Sequence, residues 1–184
     1  LDADDFFEPQ KIEIQVVPLE AHNDIVLCHS HIQVVSECDD IPDFGGAVDL
    51  GGSIKKYSYQ LQPYFLKRNR VCNSTTLMRS SILKTFNFSF KQAFQYEDWL
   101  LWVLLSEYGY FIYIPEKLIN YRFHPSSATH SVIKSQLLGN YSKIEMYFSL
   151  IHRVRSMKIK FLCAKQIWTT MRHLYQLYSI GNQP

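Results

Sequence analysis

The chain has 184 residues, 47% of them hydrophobic, 15% aromatic and 20% charged, enough apolar side chain for one globular domain with a real core, which excludes disorder and collagen-like repetition. The longest apolar run covers residues 99–105, far short of the ~20 residues a helix needs to cross a bilayer. Nineteen bases against seventeen acids leave a net charge of +2, a balance that argues against a dedicated nucleic-acid binder.

The charge is unevenly distributed. Residues 1–50 hold twelve acids and one base, residues 51–130 ten bases and four acids, and residues 131–184 eight bases and one acid. This segregation fits two arrangements: the acidic start and basic end neutralise each other, or the start collects cations while the end meets anionic lipid or phosphate. Cys28, Cys38, Cys72 and Cys163 form no C-x-x-C pair and read as free thiols of a reducing compartment. Leu1 opens directly onto acidic residues with no signal peptide before it, as expected of a fragment or a processed chain.

In chain order, Pro9 occupies a position that a first helical turn tolerates, and Ile12, residues 14–17 and Leu19 follow, which predicts a short helix after a turn at Asp4 and Asp5. Residues 24–35 are rich in β-branched side chains and predict one long strand or two short ones. Residues 36–53 carry Asp39, Asp40, Pro42, Asp43, Gly45, Gly46, Asp49, Gly51 and Gly52; this is a loop, either solvated or folding over a ligand. Asn73 to Thr76, ahead of Leu77, Met78, Ile82 and Leu83, offers a side-chain oxygen as a cap and predicts a helix opening near Thr75. Residues 95–108 are apolar nearly all round and end at Gly109, which predicts a buried helix with a glycine stop. A strand over 110–114 closed by Pro115, a second extended stretch over 118–123 and a loop over 124–130 complete the first part.

Beyond Ser131 the period becomes helical. Leu137, Tyr141, Ile144, Phe148 and Ile151 form one stripe, and Phe161, Ala164, Trp168, Met171, Tyr175 and Tyr178 form another after a basic break. Two amphipathic helices in a hairpin are expected. Their aromatic faces pack on the rest of the fold, with a membrane surface, a partner or a second copy of the chain as the alternative.

Asp2, Asp4 and Asp5 place three carboxylates in four positions. Like charges that close repel unless a cation sits between them, and oxygen ligands of this kind suit Mg²⁺ or Mn²⁺; an acidic turn or cap is the alternative. In an extended D-x-D, Asp2 and Asp4 share one side. Glu97 and Asp98 open an otherwise apolar helix, satisfied by its free amides or kept for proton transfer. His124 can serve as a metal ligand, a pH-sensitive group or a surface imidazole. His29 and His31, on one strand face, read as structural or exposed.

Taken together, Leu1-Asp-Ala-Asp-Asp with Pro9-Gln-Lys-Ile-Glu-Ile-Gln15, then Ser74-Thr-Thr-Leu-Met-Arg79, Tyr96-Glu-Asp-Trp-Leu-Leu-Trp102, and Tyr113-Ile-Pro-Glu-Lys-Leu-Ile-Asn-Tyr-Arg-Phe-His124 resemble family 2 glycosyltransferases of the GT-A fold. The likeness runs over about residues 1–129 and implies an α/β fold: a partial GT-A mixed sheet flanked by helices, from a chain that starts at the D-x-D motif. Residues 1–130 would then be the C-terminal half of a GT-A domain and residues 131–184 a helical hairpin outside the likeness. The half that normally carries the nucleotide base and ribose is missing, which exposes a sheet edge.

By the same resemblance, Asp2, Asp4 and His124 hold a divalent cation, Mg²⁺ or Mn²⁺, against the diphosphate of a nucleotide-sugar donor. Asp98 is the catalytic base that takes the proton of an acceptor hydroxyl, and Asp2, Thr75, Glu97, Trp99 and Arg122 line the donor and acceptor sides. The implied reaction is an inverting transfer to a sugar or lipid-linked hydroxyl in cell-surface glycan synthesis, in the cytoplasm or at the inner face of the membrane. The alternative is a non-catalytic half-domain whose sheet edge and basic hairpin bind a partner or a membrane surface.

Overall fold

The computed structural model describes residues 4–36, 55–57, 66–69, 71–85, 96–126 and 135–181. Asp2 and the loop expected beyond Ser36 lie outside them, as do Cys38 and His130. Cys28 and Cys163 carry free thiols.

The described elements are β1 (Phe6–Phe7), α1 (Lys11–Ala21), β2 (Ile25–Ser36), β3 (Lys55–Tyr57), β4 (Leu77–Met78), α2 (Ser80–Leu83), α3 (Glu97–Leu105), β5 (Tyr110–Phe123), α4 (Gln136–Arg153) and α5 (Met157–Gly181). They form the mixed sheet with flanking helices that the family resemblance implies, and the terminal helical hairpin that the periodicity predicts. Strand β5 is its spine. Along one edge it pairs in parallel with β2, which carries β4 antiparallel on its far side; along the other edge it pairs antiparallel with β3 near residues 111–113 and with β1 at residues 119–120. Parallel neighbours need a crossover, and the segment between β2 and β5, which includes α3, supplies it.

β2 is a single strand because residues 25–30 are all buried, as expected of a strand covered on both faces. β5 is also single, where the sequence predicted a break at Pro115. Ser30 pairs with Ile114 and His31 with Lys117, so Pro115 and Glu116 are extra residues in the register. A bulge tolerates a proline because the missing amide has no ladder bond to make there.

The expected helix at Thr75 is a single 3₁₀ turn over Asn73–Thr75. The Thr75 and Thr76 hydroxyls donate to the carbonyls of Cys72 and Asn73, at 2.7 and 2.8 Å, instead of accepting from helix amides, a local competition that Ser and Thr offer the backbone. This turn anchors α1. Gln15 Nε2 donates to the Thr75 carbonyl at 2.8 Å, and Lys11 Nζ donates to Gln15 Oε1 and, at 3.3 Å, to the Thr76 carbonyl. Burial pushes the Lys11 ammonium down to about 8. Arg79 secures the other end of α1: its guanidinium donates to the carbonyls of Leu19 and His22, acceptors a helix C-terminus leaves without intrahelical partners, and to that of Ile25 at the start of β2.

The core has two parts, one on each face of the sheet. Leu19, Ile25, Cys28, Ile112, Ile114 and Leu118 pack under α1. On the opposite face, α3 lies between the sheet and the hairpin, with Trp99 through Leu105 all buried. Trp102 Nε1 donates to the Val71 carbonyl at 3.2 Å, which satisfies its polar atom in the interior. The hairpin is pinned where the Glu107 carboxylate accepts from the backbone amides of Arg155 and Ser156, at 3.1 and 3.3 Å. Gly109 contributes room more than a helix stop: a Cβ there would lie 2.4 Å from the Asp24 carbonyl oxygen and 2.6 Å from Val26 Cγ1.

The hairpin corrects the sequence-based expectation for its aromatic stripes. The residues that pack inward are Met146, Tyr147 and Leu150 of α4 and Ile159, Cys163 and Ile167 of α5. Tyr141, Phe148, Phe161, Trp168, Tyr175 and Tyr178 all face outward, each more than half exposed. Each helix therefore carries two apolar stripes, and the one holding Tyr147 in α4 and Cys163 in α5 belongs to the core. Among the described residues no helix is long and apolar enough to cross a membrane.

Gly109→Ala should lower stability by about 1–3 kcal/mol, because backbone and a buried valine must move to admit one methyl; a shifted urea midpoint at unchanged slope reports it. A second outcome concerns acid. His29 is buried, its ring 5.3 Å from that of Tyr113, and burial pushes its imidazole down from 6.5 to about 3. Between those values the unfolded chain binds a proton that the folded chain refuses, so stability falls as pH drops below 6.5. His29→Gln should flatten the stability-against-pH curve in that window by up to one proton, about 1.4 kcal/mol per pH unit.

Candidate functional site

The segment before α1 is laid antiparallel along the second half of β5. The Glu8 amide donates to the Leu118 carbonyl at 3.0 Å, Phe7 faces Ile119 and Phe6 faces Asn120. Asn120 Nδ2 also donates to Glu8 Oε1 at 2.6 Å. Farther out, the Arg122 amide donates to Asp5 Oδ1 at 2.9 Å, and Asp4 Oδ2 lies 2.8 Å from His124 Nε2. The register thus joins two residues 120 positions apart.

Within that row Asp4 and Asp5 separate. Asp4 sits in a turn, its side chain 38% exposed beside a His124 side chain 22% exposed. Asp5 is buried and ties its segment to β5. The hydrogen bond from His124 holds the Asp4 carboxyl below the usual carboxylate range against some desolvation, and the charges of His124 and Arg122 add to it. His124 Nδ1 meets Ser126 Oγ at 2.9 Å, which fixes the ring on its other side. Arg122 is exposed.

A carboxylate and an imidazole meeting at a partly open point are chemically suited to a divalent cation. The oxygen donor fits Mg²⁺ or Mn²⁺, and the nitrogen favours the softer Mn²⁺. Among the described residues no group of three His, Cys, Asp or Glu that could hold a metal ion gathers, so Asp4 and His124 could supply two ligands between them.

The second candidate centre is the start of α3. The first turn holds Glu97 and Asp98, both half-buried, where the helix's positive end favours negative charge. Asp98 Oδ2 accepts from Asn69 Nδ2 at 2.9 Å, and its Oδ1 accepts from the Trp99 amide at 2.6 Å. Asn69 is itself oriented, since its Oδ1 accepts from the Val71 amide at 3.2 Å. Burial raises the Tyr96 phenol, and the Asp98 charge raises it further.

Trp99 belongs to the core. Its ring makes edge-to-face contacts with Tyr96 and Tyr147, at centroid distances of 5.4 and 6.2 Å, and what it offers Asp98 is its amide. Thr75 is likewise buried, with its hydroxyl on the Cys72 carbonyl and its own carbonyl on Gln15. Sequence reasoning missed Asn69: it lies in a basic run, and nothing local signals a bond to a carboxylate 29 positions later.

No family model matches the chain. Over 151 residues, 80% of its length, it is 26% identical to an uncharacterised glycosyltransferase of Methanocaldococcus jannaschii. The chain spans about half, 49%, of the length of that curated relative. Eighty per cent of the chain exceeds the 129 residues over which the motifs run, so the similarity reaches into α4. The chain is therefore related, distantly, to a glycosyltransferase.

If His124 is what holds Asp4 acidic, His124→Ala should return the Asp4 carboxyl toward 3.8. Carboxyl-carbon NMR titration reads this directly: the parent midpoint should lie below 3.8 and the variant midpoint should rise. Equal midpoints would show that the hydrogen bond does not govern this group.

Proposed function

We propose that this chain is the C-terminal portion of a family 2 glycosyltransferase of the GT-A fold, moving a sugar from a nucleotide-diphosphate donor to a sugar or lipid-linked hydroxyl in cell-surface glycan synthesis. The observation that carries this reading is the 2.8 Å meeting of Asp4 and His124. The resemblance gave these two residues one task from opposite ends of its motifs, and the antiparallel row along β5 brings them together. The distant similarity to a glycosyltransferase and the mixed sheet support it independently.

In this reading Asp98 is the general base. An alcohol is a poor nucleophile until its proton has somewhere to go. The Asn69 amide and the Trp99 N–H hold the carboxylate in one orientation, and carboxylate oxygens accept more than one hydrogen bond each. As the acceptor oxygen bonds to the anomeric carbon, its proton passes to Asp98, and the bond to the donor's diphosphate breaks on the far side. One in-line displacement with no protein nucleophile inverts the centre.

Arg122 offers positive charge to the donor's phosphates, and Glu97 shapes the acceptor side. The buried turn of Thr75 supports the donor side. Asp2, Asp4 and His124 would hold Mn²⁺ or Mg²⁺, which when bound neutralises the charge developing on the departing diphosphate.

Calorimetry with UDP as probe tests the binding half. Uptake should depend on Mn²⁺ and should be lost in Asp4→Ala; metal-independent uptake, or an Asp4→Ala protein that binds as the parent does, overturns the assignment. For the chemistry, Asp98→Asn should lower transfer at least 100-fold with nucleotide affinity unchanged, since a base acts on the chemical step. Loss of binding together with transfer would remove Asp98 from that role.

A further inference from the structure

Among the described residues, the outward stripe of α5 is an extended apolar feature that the site leaves unused. Met157, Phe161, Ala164, Trp168, Met171, Tyr175 and Tyr178 recur at alternating steps of four and three along one line of the helix. The six large side chains among them are between 53% and 74% exposed. At ~200 Å² per large aromatic side chain this is an apolar strip on the order of 600–1,000 Å², beyond what a solvated surface ordinarily leaves open. Ile159, Cys163, Ile167 and Thr170 already bury the opposite side of the helix, so the outer strip is not needed to hold α5 in place.

Charge indicates what it meets. Lys158, Lys165 and Arg172 are exposed and seven residues apart, and Lys165 and Arg172 each follow an aromatic of the strip by four positions, one turn further along. No acid occurs in α5 at all. A second copy of α5 would bring lysine against lysine along the seam, with no carboxylate on either helix to relieve it. An anionic surface removes that conflict. Trp and Tyr, with apolar rings and polar tips, suit the headgroup layer of a bilayer, and bases beside them suit its phosphates.

We infer that α5 lies flat on an anionic lipid surface, with Phe161, Trp168 and Tyr175 among the headgroups and Lys158, Lys165 and Arg172 at the phosphates. This does not depend on the transferase reading: a chain that binds vesicles and no nucleotide leaves it standing, and a chain that binds nucleotide and no vesicles removes it alone.

The test uses the intact chain with phosphatidylcholine vesicles, with and without phosphatidylglycerol. Trp99 and Trp102 are buried and Trp168 is the third of three tryptophans, so a shift in emission reports Trp168. The chain should float with anionic vesicles only, its emission should move to the blue, and salt should release it. Reversing Lys158, Lys165 and Arg172 to Glu should weaken binding at least tenfold; Phe161→Ser with Trp168→Ser should abolish it. All five side chains are exposed, and unchanged thermal melting confirms that the variants fold. Failure to float with either vesicle at low salt overturns the inference. So does lipid-free Trp168 emission that is already blue and shifts to the red in Phe161→Ser, because the strip would then be covered by another copy or another protein.

Discussion

The sheet and the meeting of Asp4 with His124 both depend on β5 being paired along both edges. On one side β2 follows it in parallel through eleven register pairs from Ile25 to Ser36; on the other, residues 4–8 run against residues 118–124 through backbone and side-chain bonds together. The first pairing builds the core and the second builds the site. Asp5 marks where one becomes the other: its carboxylate is spent on the Arg122 amide, which leaves Asp4, one residue earlier, turned toward His124.

The Asp98 end of the site is fixed by different means. α3 is held between sheet and hairpin by seven consecutive buried residues, so its first turn cannot shift without disturbing both. Tyr147 completes that hold, with its ring on Trp99 and its hydroxyl donating to the Leu66 carbonyl at 2.5 Å. Asn69 extends it, linking the 66–71 segment to the Asp98 carboxylate. Packing and polar bonding converge on a side chain that is itself half-exposed, an arrangement that gives a reactive group a fixed orientation.

How much of this was legible in the sequence differs by element. The strand at 25–36 and the helix at 97–105 were readable because their main runs, residues 25–30 and 99–105, are buried throughout, so composition alone decides. The Asp4 and His124 partnership came from the order of motifs; no spacing rule connects positions 120 apart. Thr75 misled because threonine hydroxyls cap and donate with equal ease, and here they donate. The hairpin misled for a related reason. Periodicity shows that a helix has an apolar stripe, but α4 and α5 have two each, and the period alone does not say which of them the core takes. Asn69 left no trace, since its importance lies wholly in a partner supplied by folding.

The long span of the β1 and β5 pairing also governs when the site can exist. Asp4 leaves the ribosome 120 residues ahead of His124, so its segment must wait for that length of chain before it finds its place. Pairings this remote slow a fold and lengthen the time its edges stand open. A carboxylate and imidazole drawn from the two ends of such a loop therefore meet only once β5 has been made and has paired with the segment before α1.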